Sequence, residues 1–586
     1  MPRSAREPWA GSAAGLAAAG LLALAAAAAR ADQPPLPILG VMTHFAQGWS
    51  PSLAETVAQG GIGAVRDELY WQEIETSPGN YAFPPAFDRY MAALQGAHVQ
   101  PLIELDFANT AYDRGLTPYT HAGFEAYANY GVQVLRHYGG QIGAVEIWNE
   151  YNGSFCTGPA ASNRSQTYAA MLKVAYKAIK AERPDVTVAG ASTSGLPLPY
   201  LERLFQAGAL DSMDAVSVHP YRYDSPPEGI ELDIRDLQNL IAAYSHSGPK
   251  PVWVTEIGWA TKAAAAKGDL AIDEQTQAEY LVRAYALLLS AGVERIYWYL
   301  FRDDAMTPTM GLVRDDAANA PKASFEAMRT MIAQIGGARF ARRDATPPDL
   351  YSLVFNRDSG EHVRVVWSVA SRTIDVPPSC KIVDMLGNPV LAGPVTLGAS
   401  PVYIEGPLFS MPLPDPSAPR VVADSVRGFS KVQGSGGWNY GMFVGPSTDF
   451  TMLSSFTTTD WVAEWYSQYP YLSLTNVDQH PSESSRGPVA AVRRWTSTAP
   501  GTFAIHARFQ CGQQGDGVTV RVYVNGEVIL SEDIGGPNTY AVATCDASRP
   551  LSPGDHVDFA VFPGPNGNAN FDATQLAATI SEVPQP

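Results

Sequence analysis

The chain has 586 residues, of which 46% are hydrophobic and 17% charged, and its formal net charge is −18. This length allows several domains, and the composition is that of a folded protein, which argues against extensive disorder. An acidic surface repels phosphate backbones, so we expect no nucleic-acid partner.

The N-terminal segment has the form of a secretory signal peptide. Arg3 and Arg6 precede an Ala/Leu-rich run over residues 15–29, and Ala29-Arg30-Ala31 fits a cleavage site between small residues. The alternative is an uncleaved membrane anchor, although so short a run would span a bilayer poorly. We therefore expect residues 1–31 to be removed and the protein to be exported, to the periplasm or the medium, without stable membrane insertion.

Residues 32–336 alternate short apolar strands with helix-length segments. Segments 123–139 and 273–292 repeat apolar residues every three or four positions, as amphipathic helices do. The predicted strands, in chain order, cover residues 38–42, 62–66, 101–106, 144–149, 186–190, 214–218, 252–256 and 295–300. Eight apolar strands with intervening helices indicate an α/β fold, a (β/α)8 TIM barrel. A doubly wound open sheet is the alternative, and it is weakened because no glycine-rich phosphate turn follows an early strand.

The rest of the chain is predicted to be all-β. Residues 337–406 contain short alternating strands and turn signals, which indicate a small β domain. The proline-rich residues 407–419 form a stiff linker. Residues 420–586 contain further alternating strands, with Asn525-Gly526 as a hairpin signal. This last region is predicted to be a β-sandwich of the jelly-roll type.

Two features of the C-terminal region leave alternatives open. Cys511 and Cys545 both lie there, and export would permit a disulfide between them; two buried thiols are the alternative. Aromatic side chains of the region would serve a carbohydrate-binding module if exposed in a row, or would fill the core if buried. These aromatic residues are Trp438, Tyr440, Trp461, Trp465, Tyr466 and Trp495.

Two glutamates stand where strands of the predicted barrel end. Glu150 closes the fourth strand, in AVEIWNEYNG (144–153), and Glu256 closes the seventh, in PVWVTEIGW (251–259). The carboxyl ends of the strands form the catalytic face of such a barrel. Strands 4 and 7 lie roughly opposite one another, so the two carboxylates can flank a bound sugar. One protonated and one ionised carboxyl group are what glycoside cleavage requires. Taken singly, either glutamate would more simply be a solvated strand end.

Motifs in the barrel region resemble those of clan A retaining glycoside hydrolases. In order they are GVMTHF (40–45), VRDELYWQEIETSPGNYAF (65–83), LDFANTAYD (105–113), EIWNEYN (146–152), SVHPY (217–221), TEIGW (255–259) and the stretch from WYLFRDD to PKASFEAM (298–328). Together they are similar to glycoside hydrolase family 39, and within it to the Psl-type exopolysaccharide glycosidases. The resemblance covers about residues 36–335.

The resemblance implies roles for the residues that match. Glu150 would be the acid/base, Glu256 the nucleophile, and Asn149 the partner of the substrate 2-hydroxyl. Arg66 would hydrogen-bond the nucleophile. No metal or other cofactor is implied.

Further residues near strand ends are candidates for substrate binding. On the resemblance, Tyr221 would lie near the nucleophile, and Trp298 would form the platform under the sugar in the −1 subsite, whose anomeric bond is cleaved. The remaining candidates are His219, Asp106 and Asn109, together with His44, for which a core histidine is the alternative, and Trp71, for which core packing is.

The chemistry sets conditions on the carboxyl pair. The acid/base must hold a proton near neutral pH, so the pKa of Glu150 is expected to be raised by burial or by the neighbouring carboxylate. A retaining mechanism predicts a separation of about 5 Å between the two carboxyl groups, and more than about 7 Å would indicate inversion. Glu146 is expected to form a structural ion pair, and Glu68 to lie in the loop or helix after strand 2.

These observations predict an exported retaining glycoside hydrolase whose partner is a polysaccharide or oligosaccharide. Endo action on a bacterial exopolysaccharide is the first hypothesis. An exo-acting enzyme of the β-xylosidase or arabinosidase type is the second. A non-catalytic glycan-binding protein is the alternative of another class, against which the presence of both Glu150 and Glu256 counts.

Overall fold

The computed structural model describes residues 36–222, 225–261, 271–304, 309–512, 515–536 and 541–584. The predicted signal peptide, residues 1–31, lies outside these ranges. Among the described helices none is both long enough and apolar enough to cross a membrane.

The first part of the chain forms a closed barrel of eight parallel strands. The strands are β1 Ile38–Met42, β2 Ala64–Tyr70, β3 Gln100–Asp106, β4 Ala144–Ile147, β5 Thr187–Ser194, β6 Ala215–His219, β7 Val252–Ile257 and β8 Arg295–Trp298. Each strand pairs with the next in the chain, and β8 returns to β1 with Ile38 opposite Arg295. The predicted fold class is confirmed, and each predicted strand overlaps an observed one.

Eight helices of the described chain alternate with these strands. They are α1 Leu53–Gln59, α2 Pro85–Gly96, α3 His121–Tyr138, α4 Arg164–Glu182, α5 Leu198–Gln206, α6 Ile230–Tyr244, α7 Glu274–Ser290 and α8 Ala323–Ile335. Side-chain caps set two of the starts: Thr120 accepts a hydrogen bond from Gly123 N before α3, and Asp273 accepts one from Thr276 N before α7. A short helix, Trp71–Ile74, and a small hairpin of Glu75–Ser77 with Asn80–Tyr81 follow β2.

Several strand boundaries differ from the prediction by a few residues, and two of these differences matter for the site. β2 continues to Tyr70, so Glu68 lies within the strand and not in a following loop or helix. Glu68 is buried there, because His44 Nδ1 lies 3.3 Å from its Oε1 and Gln47 Nε2 donates to the same oxygen at 3.0 Å. β4 ends at Ile147, and the chain leaves the sheet through left-handed backbone at Trp148 (φ 67°) and Glu150 (φ 43°).

The lower end of the barrel is filled by an apolar layer. Its small side chains leave room for the rings of Trp253 and Tyr297. Gly40 belongs to this fit, because a Cβ there would stand 2.5 Å from the Tyr297 ring. The layer, called the barrel floor below, consists of Ala64, Leu102, Ala144, Ala189, Ala215, Trp253 and Tyr297.

Antiparallel sheets follow the barrel. The first region has the strands β9 Ala338–Arg343, β10 Leu350–Arg357, β11 His362–Ser368, β12 Arg372–Val376, β13 Lys381–Asp384, β14 Pro389–Val390, β15 Gly393–Leu397 and β16 Val402–Glu405. Six of them form one sheet in the order β9-β10-β11-β16-β13-β14, and β12 pairs with β15.

The last region contains two larger sheets packed on a shared core. Its strands are β17 Arg420–Asp424, β18 Trp438–Val444, β19 Thr451–Met452, β20 Ser455–Thr458, β21 Ala463–Tyr466, β22 Ser473–Leu474, β23 Asp478–His480, β24 Ser482–Ser484, β25 Gly487–Thr496, β26 Gly501–Cys511, β27 Val518–Val524, β28 Glu527–Ile534, β29 Ala541–Leu551, β30 His556–Pro563 and β31 Thr574–Val583. One sheet runs β20-β21-β22-β23-β31-β26-β29 with β17 beside β31, and the other β19-β18-β25-β30-β27-β28 with β24 beside β25. The arrangement is sandwich-like, as predicted, while the domain boundaries drawn from the sequence stay predictions.

The hairpin predicted at Asn525-Gly526 is confirmed. Val524 pairs with Glu527, so these two residues form the whole turn between β27 and β28. Both have positive φ, 49° and 84°, as the tight two-residue turns of β-hairpins require.

The disulfide between Cys511 and Cys545 does not form. Both thiols are free and buried. In the register of β26 and β29, Cys511 faces Ala541 and Ala507 faces Cys545, which places the cysteines about 13 Å apart along the strands. A disulfide needs its Cα atoms within about 7 Å. The alternative, two buried thiols, is the observed state.

The aromatic residues of the sandwich form no exposed row. Trp438, Tyr440, Trp465 and Trp495 are buried in the core. Trp461 and Tyr466 are exposed, to 62% and 40%. Core packing therefore accounts for four of the six, and two remain available at the surface.

Candidate active site

Arg66 is the buried centre of the site. Its guanidinium donates from Nε to Glu146 Oε2 at 2.5 Å and from Nη1 to Glu256 Oε1 at 2.7 Å. Its Nη2 lies 2.5 Å from Glu104 Oε2 and donates to Asn149 Oδ1 at 3.1 Å. Burial opposes the charge, but the three carboxylates hold the pKa of Arg66 well above its usual value. Strands 2, 3, 4 and 7 are thereby tied together by one cation, and the expected ion pair of Glu146 is present.

Glu256, at the end of β7, receives two hydrogen bonds. Arg66 Nη1 donates to Oε1, and the Tyr221 hydroxyl donates to Oε2 at 2.8 Å. The two donors fix the position of the carboxylate. The predicted neighbours of the candidate nucleophile, Arg66 and Tyr221, therefore both touch it.

Glu150 lies close to Glu256 across the mouth of the barrel. Its Oε1 is 3.1 Å from His219 Nδ1, and the same nitrogen is 3.7 Å from Glu256 Oε2. One oxygen from each glutamate and one His219 nitrogen lie within 4.8 Å of one another. This separation matches the value of about 5 Å for retaining glycosidases and leaves no room for the water of an inverting reaction. The left-handed backbone of Trp148 and Glu150 is the kind of local strain that clusters at functional sites.

His219 connects the acid/base candidate to the charged centre. The Thr255 hydroxyl donates to Glu146 Oε1 at 2.9 Å, so its oxygen accepts the Nε2–H of His219 at 3.1 Å. The other nitrogen, Nδ1, therefore faces Glu150, and one proton is shared between them.

The shared proton corrects the expectation for Glu150. Burial favours its neutral form, but the hydrogen bond and the charge of His219 hold the pKa of Glu150 below its ordinary value. Burial lowers the pKa of His219, while the charge of Glu256 and the bond to Glu150 outweigh burial and raise it. The proton required by the reaction is therefore stored in the pair, on the imidazole side. Sequence reasoning missed this because it could not show which ring nitrogen faces the carboxylate.

A second group of side chains stands on the other side of Glu256. His44 Nε2 lies 3.4 Å from the Tyr299 hydroxyl, and its Nδ1 lies 3.3 Å from Glu68 Oε1. Burial and then the charges of Glu256 and Glu68 raise the pKa of Tyr299. The ring centroid of Tyr299 is 6.4 Å from that of Tyr221. His44 is thus in the site, and Tyr299 and Glu68 are site residues that the sequence analysis did not assign.

Trp298 is not the predicted platform. Its ring is fully buried, 6.0 Å from that of Trp259, and its Nε1 donates to Met310 O at 2.8 Å. Successive side chains of a strand point to opposite faces, so Tyr297 and Tyr299 point into the barrel and Trp298 points outward. The membership of Tyr297 in the barrel floor fixes this alternation. Tyr299 is the aromatic side chain that β8 presents to the site.

Trp71 and Asn109 do not line a subsite. Trp71 is fully buried, stacks on Tyr112 at 5.2 Å, and donates from Nε1 to Glu75 Oε2 at 2.6 Å. Asn109 is buried and donates to Glu75 O at 2.8 Å. Both side chains hold the loops after β2 and β3 together. Their role is therefore packing and not contact with substrate.

Asp106 lies below the surface of the site, against Glu104. Both residues are fully buried on β3. Burial and the charge of Glu104 raise the pKa of Asp106 well above its usual value, and burial, opposed by Arg66, raises the pKa of Glu104 to about 7. Asp106 is therefore a fully buried neighbour of the charged centre and not a direct ligand of substrate.

Comparison with known proteins gives a family match within the barrel. Residues 142–319, which include Glu150, His219 and Glu256, match the family model described as glycosyl hydrolase catalytic core. No curated protein matches the sequence significantly.

Among solved structures, the chain is similar to a family 39 glycoside hydrolase from the gut symbiont Bacteroides cellulosilyticus WH2, with 23% identity over 63% of this chain and 81% of that one, at a TM-score of 0.55. It also matches a monomeric beta-xylosidase from Caulobacter crescentus CB15 (17% identity, 63% and 97% covered, TM-score 0.47). A third match is the catalytic domain of a GH30 xylanase C from Talaromyces cellulolyticus (16%, 64% and 97%, TM-score 0.47). At these identities the likeness concerns the fold.

The protein is a glycoside hydrolase. This follows from the closed barrel, from the two facing glutamates at the ends of β4 and β7, and from the match to a glycosyl hydrolase catalytic core. Its catalytic machinery lies in the barrel, and the matched core runs from just before β4 to the segment before α8.

Proposed function

We propose that this protein is an exported glycoside hydrolase that cleaves a polysaccharide with retention of anomeric configuration. The observation that carries the proposal is the approach of Glu150 to Glu256, whose oxygens lie within 4.8 Å. Inverting enzymes hold their carboxyl groups about 6.5–9.5 Å apart to admit a water molecule. Here that space is missing, and a direct attack by one carboxylate is favoured.

In the first step, Glu256 attacks the anomeric carbon of the sugar in the −1 subsite. A bond forms between its carboxylate oxygen and this carbon, and the bond to the leaving oxygen breaks. The proton held by Glu150 and His219 passes through Glu150 to the leaving oxygen. Arg66 and Tyr221 hold the Glu256 carboxylate in position for the attack.

In the second step, water replaces the carboxylate. The ester of Glu256 carries no charge, so Glu150 no longer faces a second anion and acts as a base towards water. The hydroxyl oxygen bonds to the anomeric carbon, the ester bond breaks, and the proton returns to the pair of Glu150 and His219. Asn149 accepts from Arg66 through Oδ1, which leaves its N–H groups to donate to the sugar 2-hydroxyl.

The substrate class rests on two further observations. The motifs of the barrel resemble those of exopolysaccharide-degrading glycosidases, which favours endo action on a bacterial exopolysaccharide. Phe155, in the loop after β4, is 42% exposed and stacks on Phe107 at 5.0 Å. Such a ring surface suits the apolar face of a sugar beyond the scissile bond. The signal-like N-terminal segment supports export.

The experiment is a hydrolysis screen with product analysis. Purified wild-type protein and Glu256→Gln are given 4-nitrophenyl glycosides, xylan, arabinan and an exopolysaccharide extracted from a bacterial biofilm. Endo action predicts that the viscosity of the polymer falls well before reducing ends accumulate. Proton NMR of the first product is expected to show the anomer of the substrate. Equal behaviour of the two proteins on every substrate would refute an enzymatic role, and the inverted anomer would refute the nucleophile.

A further inference from the structure

The hairpin of β20 and β21 fastens the sandwich to the barrel beside the loop that carries Glu150. Asp460, at the tip of this hairpin, accepts hydrogen bonds from Ser165 Oγ at 2.8 Å and from Ser165 N at 3.3 Å. Arg203 of α5 donates to the same carboxylate at 2.8 Å. Ser165 lies in the first turn of α4, so Asp460 supplies that helix with an acceptor for a free backbone N–H. The tip is therefore held in a fixed position on the barrel.

Trp461 stands next to this anchor with one ring face open. The Arg164 guanidinium lies 4.6 Å from its ring centroid, which is a cation–π contact. Trp461 is nevertheless 62% exposed, so the face turned away from Arg164 meets solvent. A contact that only fastened two domains would bury such a large ring. An open indole face beside a fixed polar anchor suits the apolar face of a sugar.

The loop after β4 links Trp461 to the catalytic pair. This loop begins at Glu150, passes through the exposed ring of Phe155, and ends where α4 starts at Arg164. Thr117 fixes it, because Thr157 N donates to Thr117 Oγ1 at 2.8 Å.

The chemistry decides which part of a substrate lies on this side. Glu150 gives its proton to the leaving oxygen, so the leaving part of the glycan lies on the side of Glu150. Phe155 belongs to the loop that carries Glu150, and Trp461 contacts Arg164, where this loop meets α4. We infer that Trp461, carried by the C-terminal sandwich, forms a distal binding site for the leaving-group part of a polysaccharide chain, with Phe155 between it and the catalytic pair. This inference rests on the proposed function and gives the sandwich a part in endo action.

The test separates substrates with and without a long leaving group. The probes are the 4-nitrophenyl glycoside and the polymer that the wild-type enzyme cleaves fastest in the screen described above. Trp461→Ala is expected to lower kcat/KM on the polymer about tenfold and to leave kcat/KM on the aryl glycoside unchanged. Trp461→Phe is expected to restore most of the polymer rate.

Phe571→Ala is the matched control, because Phe571 is an equally exposed aromatic residue, 65%, in another loop of the sandwich. It is expected to leave both rates unchanged. The inference is overturned if Trp461→Ala leaves the polymer rate intact, or if it lowers both rates together with the melting temperature, as the loss of a purely structural contact would. A wild-type protein inactive on every substrate of the screen would instead refute the proposed function.

Discussion

The interior of the barrel changes character within two residues along its strands. At the floor, β2, β3 and β4 contribute Ala64, Leu102 and Ala144. Two residues later on the same inward faces stand Arg66, Glu104 and Glu146. One pleat repeat, about 7 Å, thus separates a close-packed apolar layer from a buried ionic one. The floor stabilises the barrel by excluding water, and the ionic layer holds a nucleophile in place, so stability and activity are expected to respond to different substitutions.

The largest expected effect belongs to the ionic layer. Glu256→Gln keeps the size of the side chain and one acceptor for Arg66, but it removes the attacking carboxylate. We expect kcat/KM on an aryl glycoside to fall by roughly 10⁴-fold or more, with a melting temperature close to that of the wild type. Steady-state rates and thermal unfolding measured on the same preparations check both parts. A variant that lost stability and activity together would contradict the separation of stability and activity between the two layers.

At the barrel floor we expect a smaller effect of the opposite kind, a loss of stability without a loss of activity. Gly40→Ala would place a methyl group 2.5 Å from the Tyr297 ring and 2.9 Å from Ala64 O, and neither the packed ring nor the backbone can yield easily. Overpacking of this kind costs about 1–3 kcal/mol of unfolding free energy. Urea unfolding measures this cost. The kcat/KM of the folded fraction should stay at the wild-type value, and a loss of rate without a loss of stability would contradict the division.

The smallest effect is a shift in pH dependence. The pKa of His219 lies above its ordinary value of 6.5, so the pair of His219 and Glu150 keeps its proton below pH 6.5 and loses it as pH rises through the raised value. We expect the basic limb of kcat/KM to lie above about pH 6.5 and to move to lower pH in His219→Asn. A profile of the variant that coincides with the wild type would show that His219 does not share the proton. The stabilisation that the protonated imidazole contributes follows the same direction and is lost as pH rises.

Sequence reasoning reached the parts of the site that depend on strand order. Glu150 and Glu256 could be found because parallel strands of a barrel end on one face, whatever their exact boundaries. The platform role was assigned to Trp298 and not to Tyr299, because a shift of one residue exchanges the inner and outer faces of a strand. Glu68 was placed outside β2 because the strand was predicted to end at residue 66, whereas it continues to Tyr70 and Glu68 is buried beside His44.

Pairings between distant strands were harder to predict. Cys511 and Cys545 lie on neighbouring strands, but the register of these strands keeps them apart. The residue types of two strands do not show which of their residues pair. The Asn525-Gly526 turn was predictable because its conformation is local to two residues. The approach of Asp460 and Trp461 to α4 joins parts of the chain that share no sequence signal.

The central claim is that Glu256 attacks the anomeric carbon. A 2-deoxy-2-fluoro glycosyl fluoride of the sugar that the enzyme accepts would slow the second step and allow the ester to accumulate. Peptide mass spectrometry of the inactivated wild-type protein is the most direct measurement. We predict one added glycosyl group, on the peptide that contains Glu256, and none in Glu256→Gln. A label on Glu150, or turnover with the inverted anomer and no label, would contradict the account.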